Sequence, residues 1–535
     1  MSCTCIRHTE LPHTTRLFAD LVYHYDRVRS FYHHSPFVED SYTAAAQHVR
    51  LDPGHRAALV TALEQENRDG GPGALNHLDR LSHPETLAVA SGQQVGLYTG
   101  PVFTIYKALS AVKLAAELTE RGIPSVPVFW LATEDHDIEE INHTWVFDGS
   151  NQPIRLQAAA TPAPNQPVGG VTITDSAEAS LREALAGFPF GEEVSRLARE
   201  SYAPGAGFGA GFKALLRRLL APYGLLLLDP LSPPIRRLAA PLMRQAIEHA
   251  PALTSSLLAR GRELENAGYH VQVHMEEKTS LFFLLEQGRR THLWRSADTY
   301  SEDGAVHTTA ELLARLDRHP EDFSPNALLR PVVQDFLLPT VAYIGGPAEL
   351  AYLAQAEVLY RGLLRRMPVA LPRACFTILD ARSEKLMARY GLHFTDALHG
   401  VAALEQRIAN TLIPGPLQRT FDSSREQLES ALGAVEAQLR GFDPTLAAAL
   451  AKSRRKIEYQ FSKIQAKAGR ESLRRSERAR ADAAYLTHLV FPEKTLQERL
   501  YSVLPFLARH GLGLLERVHA AIRFDCPDHQ VLVVR

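Results

Sequence analysis

The sequence predicts an α/β protein built around a parallel sheet, with inserted elements and a C-terminal α-helical coiled coil. An apolar run at 86–90 is followed by a helical pattern of about 20 residues and a second apolar run at 124–137, a strand–helix–strand unit whose strands are parallel. A further apolar run, GLLLLDP at 224–230, is typical of another buried parallel strand. Apolar residues from 428 to 446 are spaced 4-3-4-3-4, the spacing of a coiled-coil seam.

The composition fits this fold class and excludes several others. The chain has 535 residues, of which 45% are hydrophobic and 22% charged, as in an ordinary globular protein. Its net charge of −2 excludes a protein-wide basic field for nucleic acid or an anionic membrane. No apolar run approaches the ~20 residues of a membrane span, and the first residues lack the apolar core of a secretory signal. Four cysteines are too few for a disulfide scaffold, so we expect a cytoplasmic, reducing location.

The N-terminal part of the chain predicts helices before the first strand. Residues 15–50 have an amphipathic pattern with a break at 35–37, and residues 55–68 continue as helix. The helix after the first strand begins near Pro101 and ends near Gly122, which suit a first helical turn and a C-terminal end. The start of the chain is expected to be a mobile tail; its Cys-x-Cys spacing is unusual for the alternative, a zinc site.

The elements beyond residue 140 follow from changes in periodicity. Each pattern is typical of one kind of element: short strands with Pro/Gly turns at 144–175, helices at 177–222 and 233–267, a hairpin at 271–297, a strand, glycine turn and helix at 336–355, strand at 367–379, and a final strand at 529–534. The region 144–175 is therefore interpreted as an inserted β element.

The segment 420–482 predicts two helices. Asp443 is a good N-cap and Pro444 suits the first helical position, so the run breaks there. The pattern leaves open an antiparallel hairpin or two coaxial segments. Residues 452–480 contain eleven Lys and Arg residues. A solvated coiled-coil face is the default interpretation of this basic helix, and an RNA-contacting arm is the alternative.

The first candidate binding segment is SGQQVGLYTGP at 91–101, between a strand and a helix. Gln93 and Gln94 carry amide donors and acceptors, and Thr99 carries a hydroxyl group. Gly100 permits close backbone approach, and free N–H groups at a helix N-terminus favour an anion. We therefore predict that the segment binds a carboxylate or phosphate of a substrate. The alternative is a structural turn whose glutamines cap the helix.

The second candidate is ATEDHDIEEINH at 132–143. Glu134, Asp135, His136 and Asp137 directly follow a buried strand, where ionisable groups are costly unless they serve a site. Carboxylates there can hold an ammonium group, and His136 can transfer a proton near neutral pH. One alternative is a helix N-terminus enriched in acids, with His136 on the surface. A metal site is disfavoured because consecutive strand residues alternate faces.

Two further stretches combine a glycine turn with basic side chains: FSPNALLRP (323–331) and YIGGPAELAY (343–352). Gly345 and Gly346 precede a second helix, with Glu349 in its first turn. Arg330 and Arg373 can each hold a carboxylate or phosphate with two hydrogen bonds. These residues indicate an anion site, and a purely structural Gly-Gly-Pro turn is an equal alternative.

These motifs resemble the bacillithiol biosynthesis cysteine-adding enzyme family, BshC. The resemblance rests on SGQQVGLYTGPVFTIYKALSAVKLA (91–115), VPVFWLATEDHDIEEINH (126–143), GYHVQVH (268–274), FSPNALLRPVVQDFLLPTVAYIGGPAELAY (323–352), ALPRACFTI (370–378) and FYHHSPFVEDSY (31–42). The coiled-coil segment and terminal block follow in the expected order, so the resemblance spans nearly the whole chain.

The resemblance implies a Rossmann-type parallel-sheet core similar to class I aminoacyl-tRNA synthetases, with inserted connecting regions and a C-terminal coiled coil. Gln93, Gln94, Thr99 and Gly100 would take the place of the HIGH-type loop of those enzymes. We accordingly predict five units: N-terminal helices and the first half of the core at 1–143, an inserted region at 144–222, the second half of the core at 223–415, the coiled coil at 416–482, and a C-terminal segment packing on the core at 483–535.

The implied reaction joins L-cysteine to glucosaminyl-malate by an amide bond, in the last step of bacillithiol biosynthesis. Such a ligase needs a base that takes a proton from the amine, and His136 or Asp137 is placed to do so. The segment 91–101 with Arg330 would hold the malate carboxylate. The cofactor stays open: ATP would suit the reaction, but no KMSKS-like loop is present, since Lys278-Thr279-Ser280 matches it poorly.

The predicted site has a catalytic and a binding part and no metal. Asp135, His136 and Asp137 are predicted to be catalytic. The predicted substrate-binding residues are Gln93, Gln94, Thr99, Gly100, Glu134, Asn326, Arg330, Gly345, Gly346, Glu349 and Arg373. The expected partners are L-cysteine, glucosaminyl-malate and a second copy of the chain bound through the coiled coil. The alternative function is a synthetase-like RNA-binding protein that uses the basic helix, which the net charge opposes.

Overall fold

The computed structural model describes residues 3–203, 205–302 and 305–535. The strands are β1 (Cys3–Ile6), β2 (Leu87–Gln94), β3 (Ser125–Ala132), β4 (His143–Phe147), β5 (Pro153–Gln157), β6 (Ala159–Ala160), β7 (Ile173–Asp175), β8 (Leu226–Leu228), β9 (Thr279–Glu286), β10 (Arg289–Ser296), β11 (Thr299–Glu302), β12 (Ala305–Thr308), β13 (Phe323–Pro325), β14 (Thr340–Gly345), β15 (Val369–Pro372), β16 (Phe376–Asp380) and β17 (His529–Val534).

The helices of the N-terminal two thirds are α1 (Arg16–Tyr23), α2 (Asp40–His48), α3 (Pro53–Asn67), α4 (Gly71–Ser82), α5 (Phe103–Glu120), α6 (Ile138–Ile141), α7 (Glu178–Leu185), α8 (Gly191–Ser201), α9 (Phe208–Leu220), α10 (Pro233–Glu248), α11 (Ala250–Asn266), α12 (Thr309–Arg318), α13 (Arg330–Leu337) and α14 (Pro347–Leu359). The remaining helices are α15 (Ala381–Tyr390), α16 (Phe394–Ala397), α17 (Val401–Thr411), α18 (Gly415–Phe442), α19 (Pro444–Arg474), α20 (Glu477–Val490), α21 (Gln497–Leu500), α22 (Leu504–His510) and α23 (Leu514–Ala521).

The predicted parallel sheet is confirmed. It has the order β15-β14-β2-β3-β8, and every neighbouring pair is parallel. Parallel strands have their carboxyl ends at one edge of the sheet, which is where ligands bind in open α/β folds. Gln94 pairs with Ala132 and Gly345 with Pro372 at this edge, so four strand ends meet there.

Both faces of the sheet are covered, as the continuous apolar runs predict. Along β3, Phe129 and Leu131 join the apolar cluster that contains α5 and α9. Val128 and Trp130 point to the opposite face and join the cluster that contains α3, α4 and α10. Burial of the strands on both sides fixes the position of their polar carboxyl ends.

The strand before the first candidate segment is longer than the sequence predicts. The apolar run ends at Ala90, but β2 extends to Gln94, because its backbone pairs with β3 as far as Ala132. Gln93 and Gln94 therefore belong to the strand itself and not to the turn before α5. Their side chains are held in place by the sheet.

The predicted hairpin forms from β9 and β10, within an antiparallel sheet of order β12-β11-β10-β9-β13. Its predicted start at 271 is too early, because residues 271–278 form no strand. This sheet comes from chain between β8 and β14 of the parallel sheet. The inserted strands predicted at 144–175 form the small β4–β5 and β6–β7 pairs. The hairpin carries Phe283 and Arg290, which reach the carboxyl edge of the parallel sheet.

The prediction of a mobile chain start is wrong. Cys3–Ile6 form β1, which is antiparallel to β17, and β17 is parallel to β16. The two ends of the chain thus share one three-stranded sheet. Pairing with a strand more than 500 residues away holds the start in place, and no local pattern can reveal such a pairing.

The helical prediction for 15–50 is wrong between α1 and α2. The first helix ends at Tyr23, and α2 begins at Asp40. Tyr25 donates its hydroxyl hydrogen to the Tyr32 carbonyl oxygen, and the Tyr32 hydroxyl group donates to the carbonyl oxygen of Leu350. These contacts to the core stabilise an irregular segment despite its helical pattern.

The coiled-coil segment is an antiparallel hairpin of α18 and α19, here called the hairpin arm. Asp443 caps α19 by accepting from the Thr445 N–H at 2.7 Å, as its sequence position predicts. Phe421 packs edge-on against Phe461, with ring centroids 5.6 Å apart. Arg454 of the basic helix lies within 4 Å of three glutamates, Glu429, Glu436 and Glu458. Part of the basic charge is thus neutralised within the arm.

No helix in the described part of the chain combines the length and the apolar character that crossing a membrane requires.

Candidate active site

A cavity of about 730 Å³ lies at the carboxyl edge of the parallel sheet. Its walls come from the ends of β2 and β3, the start of α14, and the hairpin strands β9 and β10. Nine predicted site residues line it: Gln93, Gln94, Glu134, Asp135, Asn326, Arg330, Gly346, Glu349 and Arg373. The structure thus brings together side chains from all four candidate stretches: 91–101, 132–143, 323–331 and 343–352.

Gln94 orients the carboxylate at the end of β3. Its side-chain nitrogen donates to Asp135 Oδ2 at 2.7 Å and to Glu140 Oε2 at 2.6 Å. The His136 N–H donates to Asp135 Oδ1 at 2.8 Å. Burial alone would raise the pKa of Asp135, but the bonds from Gln94 and His136 and the charge of Arg290 outweigh it and lower the pKa. Asp135 is therefore an ionised carboxylate at neutral pH.

His136 has a defined tautomer. Its Nδ1 lies 3.2 Å from Nη1 of Arg290, and a guanidinium group can only donate a hydrogen bond. The neutral imidazole must therefore carry its proton on Nε2. Burial and the Arg290 charge lower the pKa of His136, so the neutral ring prevails at neutral pH. In this arrangement His136 is a hydrogen-bond donor through Nε2 and is not poised to accept a proton.

Glu134 and Asp137 have structural contacts. Glu134 is buried and forms an ion pair with Arg236 at 2.5 Å. Asp137 accepts from the N–H groups of Glu139 and Glu140, so it caps α6 as an acidic helix N-terminus does. By capping this turn it helps to place Glu140 beside Gln94. Glu134 lines the cavity, whereas Asp137 is not among the described lining residues.

Lys107 is a site residue that the sequence analysis missed. Its buried Nζ donates to the Gly92 carbonyl oxygen at 3.0 Å and to Gln93 Oε1 at 2.7 Å, and it forms an ion pair with Glu349. Burial lowers the pKa of Lys107, and Glu349 opposes that shift. A lysine on the buried face of an apolar helix was the available signal, because such a charge requires partners.

Glu349 folds back over the start of α14. Its carboxylate accepts from the Tyr343 hydroxyl group at 2.6 Å and from the Gly346 N–H at 2.8 Å. A Cβ atom at Gly346 would come 3.4 Å from Glu349 Oε2, 3.8 Å from Arg373 Nε and 4.0 Å from Lys107 Cε. The glycine turn is therefore in close contact with one acidic and two basic side chains.

Arg330 lines the cavity and keeps polar neighbours. One of its terminal nitrogens donates to the Tyr352 hydroxyl oxygen at 2.7 Å, and its guanidinium lies 5.9 Å from the ring centroid of Trp130. Trp130 also lines the cavity, and its buried Nε1 has no hydrogen-bond partner among the described residues. Both side chains can donate to an acceptor that enters the cavity.

Arg373 is fixed by a buried ion pair. It donates two hydrogen bonds to the Glu498 carboxylate, at 2.9 and 2.8 Å. Its Nε is buried and unpartnered within the described chain. Glu498 lies 125 residues away along the chain, so the sequence analysis could not identify this pair. The exposed side chain of Arg499 lines the cavity nearby.

Several residues that were predicted to bind substrate either lie away from the cavity lining or are bonded to other groups of the protein. Thr99 and Gly100 are buried in a tight turn with positive φ values of 72° and 64°, and neither is among the described lining residues. The Asn326 side chain is bonded to backbone groups of Ser280, Leu328 and Leu329. The carbonyl oxygen of Gly345 accepts from the Arg373 N–H.

One cluster of buried side chains has the residue types of a metal site. Within the described residues, Cys375, Glu498 and His529 bring one ligand atom each within 4.8 Å of one another. A cation there would face the guanidinium of Arg373, which already binds both Glu498 oxygens, so the set is a poor metal site. Thr279 and Ser280 of the partial KMSKS match line the cavity.

Two family models match the chain. The model described as "Bacillithiol biosynthesis BshC, N-terminal Rossmann-like domain" matches residues 1–374, and "Bacillithiol biosynthesis BshC, C-terminal coiled-coil domain" matches residues 376–534. Three curated relatives bear the name "Putative cysteine ligase BshC". The protein of Solibacter usitatus is 52% identical over 100% of both chains. Those of Koribacter versatilis and Salinibacter ruber are 38% and 33% identical, over 99% and 97% of this chain and 99% and 96% of their own.

Proposed function

The chain belongs to the bacillithiol biosynthesis BshC family and is a cysteine ligase, and we propose that it joins L-cysteine to glucosaminyl-malate. The proposed amide links the cysteine carboxyl group, in an activated form, to the amine of the glucosaminyl group. The observation that carries the proposal is a single cavity lined by an oriented carboxylate, Asp135, and by five cationic side chains: Lys107, Arg290, Arg330, Arg373 and Arg499.

The cationic side chains suit the malate part of the substrate. Malate contributes two carboxylates, and arginine forms strong charge-assisted hydrogen bonds with such groups. Lys107 and Arg373 already have anionic partners, Glu349 and Glu498, whereas Arg330 contacts neutral side chains. We therefore assign Arg330 as the main malate-binding residue. Arg499 and Gly346 also line the cavity and complete this part of the site.

Asp135 suits the amine. Its ionised carboxylate attracts the glucosaminyl ammonium group and, when the amine attacks the activated carboxyl carbon, accepts the proton that the nitrogen loses. Gln94 keeps the carboxylate in place. His136 is not among the described residues that line the cavity, so we assign it a positioning role: its backbone N–H holds Asp135 Oδ1. The roles of Asp135 and His136 thus differ from the predicted base at His136 or Asp137, because Arg290 occupies His136 Nδ1.

The direct test incubates purified protein with L-cysteine and glucosaminyl-malate, with and without ATP and Mg²⁺, and follows products by mass spectrometry. We expect a product whose mass equals the sum of the two substrates less one water. Formation of no such product under either condition would contradict the proposed reaction. The pair of conditions also identifies the energy source.

Replacing Arg330 with methionine is expected to raise KM for glucosaminyl-malate by about 10- to 100-fold, because a hydrogen bond to a charged group contributes about 1.5–3 kcal/mol. KM for cysteine should change little. The control is Tyr352→Phe, which removes a hydroxyl group bonded to Arg330 but keeps the guanidinium. Steady-state kinetics with each substrate varied separately measure both effects. Equal changes in the two KM values would remove Arg330 from the malate site.

We propose that the protein is a homodimer formed through the hairpin arm. Apolar side chains stay exposed on the arm even after α18 and α19 pack together: Val435 is 49% exposed, Phe442 82% and Ile464 57%. A second copy of the arm offers the same apolar surface and can cover it. The comparisons favour the ligase, and not the RNA-binding alternative, as the context of this arm.

The dimer is expected to dissociate in a Val435→Asp/Phe442→Asp double variant, because two buried charges would lie in the interface. Light scattering at micromolar concentration should give twice the chain mass for the parent protein and the chain mass for the variant. Leu75→Asp is the matched control, since Leu75 is equally exposed on α4, outside the arm. A parent protein of single-chain mass contradicts the dimer, and a dimeric double variant contradicts this interface.

For a ligase of small metabolites we propose a cytoplasmic location.

A further inference from the structure

Two cysteine side chains from opposite ends of the chain lie side by side. Cys5 is in β1, and Cys526 lies three residues before the start of β17. Their sulfur atoms are 2.9 Å apart, although the residues are separated by 521 positions in the sequence. The pair is remote in the chain from the catalytic motifs, and the proposed ligase reaction does not use it.

The backbone on both sides of the pair is fixed. Cys5 is held by the ladder between β1 and β17, where it pairs with Gln530. The segment after Cys526 is held by two contacts to the N-terminal region: His8 Nε2 lies 2.9 Å from the Pro527 carbonyl oxygen, and the Tyr23 hydroxyl group donates to Asp528 at 2.6 Å. The fold therefore keeps the two residues close together.

The surroundings of the pair favour thiol chemistry. Cys5 is exposed and Cys526 is half-buried, so a small reagent can reach them. Arg523, which forms an ion pair with Asp525 at 2.7 Å, lies close enough to interact electrostatically with both sulfur atoms. Cys375 is different: burial raises its pKa to about 12, although Arg373 opposes the shift. Within one chain there are thus an accessible thiol pair and an inert buried thiol.

We propose that Cys5 and Cys526 form a redox-active thiol pair that low-molecular-weight disulfides oxidise to an intramolecular disulfide. The thiolate of Cys5 attacks one sulfur of the small disulfide, forms a mixed disulfide and releases one small thiolate. The thiolate of Cys526 then attacks the Cys5 sulfur and releases the second small thiol. The two cysteines lose two protons and two electrons in total, and the small disulfide is reduced to two thiols.

A disulfide between Cys5 and Cys526 would join β1 to the segment that precedes β17. Because it closes a loop of more than 500 residues, it restricts the unfolded chain strongly and should stabilise the folded state. Disulfides in reducing compartments are usually transient and redox-sensing. The oxidised protein is therefore a distinct, more stable form that appears when small disulfides accumulate.

The test treats the folded full-length protein with 2-hydroxyethyl disulfide, blocks remaining thiols, and maps peptides without reduction. We expect a peptide pair joined through Cys5 and Cys526, and a higher unfolding midpoint that dithiothreitol reverses. Cys3→Ser is the matched control and should still form the bond, since Cys3 lies on the same strand two residues away. Cys5→Ser and Cys526→Ser should instead stop at a mixed disulfide with the probe.

Two results would overturn the proposal. One is that wild-type protein gives only mixed disulfides at Cys5 and Cys526 and no linked peptide. The other is that Cys3→Ser abolishes the linked peptide, which would mean that Cys3 supplies the reacting thiol. Neither readout uses ligase activity, so the outcome is separate from that of the proposed reaction.

Discussion

Replacing Asp135 with asparagine is expected to lower kcat/KM for amide formation by about 10²- to 10⁴-fold, the usual contribution of a positioned acid–base group. Asparagine keeps the size of the side chain but cannot accept the proton from the attacking amine. It also lacks the negative charge that attracts the ammonium group. Product formation followed by mass spectrometry, with circular dichroism as the measure of folding, tests this expectation.

Glu140→Gln is the matched control for Asp135→Asn. Both carboxylates accept a hydrogen bond from Gln94 and both line the cavity, but Glu140 is exposed while Asp135 is half-buried. The proposed mechanism needs only Asp135, so the control should retain activity within about fivefold, the effect of one net hydrogen bond. Similar losses in the two variants, or near-normal turnover of Asp135→Asn, would contradict the assignment.

Arg373→Met is expected to lower the free energy of unfolding by about 3–5 kcal/mol, because it leaves the Glu498 carboxylate buried without its partner. Both side chains of this pair are 3% exposed, so water cannot replace the guanidinium. Denaturant unfolding followed by fluorescence measures the shift of the transition that involves β16. The double variant Arg373→Met/Glu498→Met removes the orphaned charge and should recover part of the loss. A single variant as stable as the parent protein would show that the pair contributes little.

The same pair predicts a change in pH dependence. Burial would raise the pKa of Glu498, but Arg373 outweighs it and lowers the pKa to about 2, against about 4.3 in an unfolded chain. A carboxyl group with a depressed folded-state pKa stabilises the fold fully above the unfolded value, and that contribution is lost as the pH falls toward 2. Arg373→Met should therefore weaken the acid sensitivity of the protein between about pH 4.3 and pH 2.

The parallel-sheet core, the inserted strands and the break in the hairpin arm could all be predicted from the sequence. These features depend on local periodicity: apolar runs that are buried on both faces, a seam of 4-3 spacing, and an Asp-Pro pair that can only begin a helix. The sequence also predicted binding segments at the ends of the first two core strands. The parallel sheet brings these ends to one edge, where Gln94 contacts Asp135.

Which side chains reach the cavity, and which groups they contact, depends on the tertiary structure. The turn at Thr99 and Gly100 has the composition of a binding loop, but packing buries it away from the cavity. In the sequence, Lys107 is one polar residue in an apolar helix. Its contacts with Gln93 and Glu349 depend on the fold. Arg290 assigns the tautomer of His136 from 154 residues away.

The contacts that sequence reasoning missed share one physical cause. The Arg373–Glu498 pair, the pairing of β1 with β17 and the approach of Cys5 to Cys526 join positions 125 or more residues apart. Periodicity and capping report interactions within a few residues, whereas burial of a charge, a strand or a thiol against a distant partner leaves no spacing to detect. Those partners are fixed only when the whole chain packs.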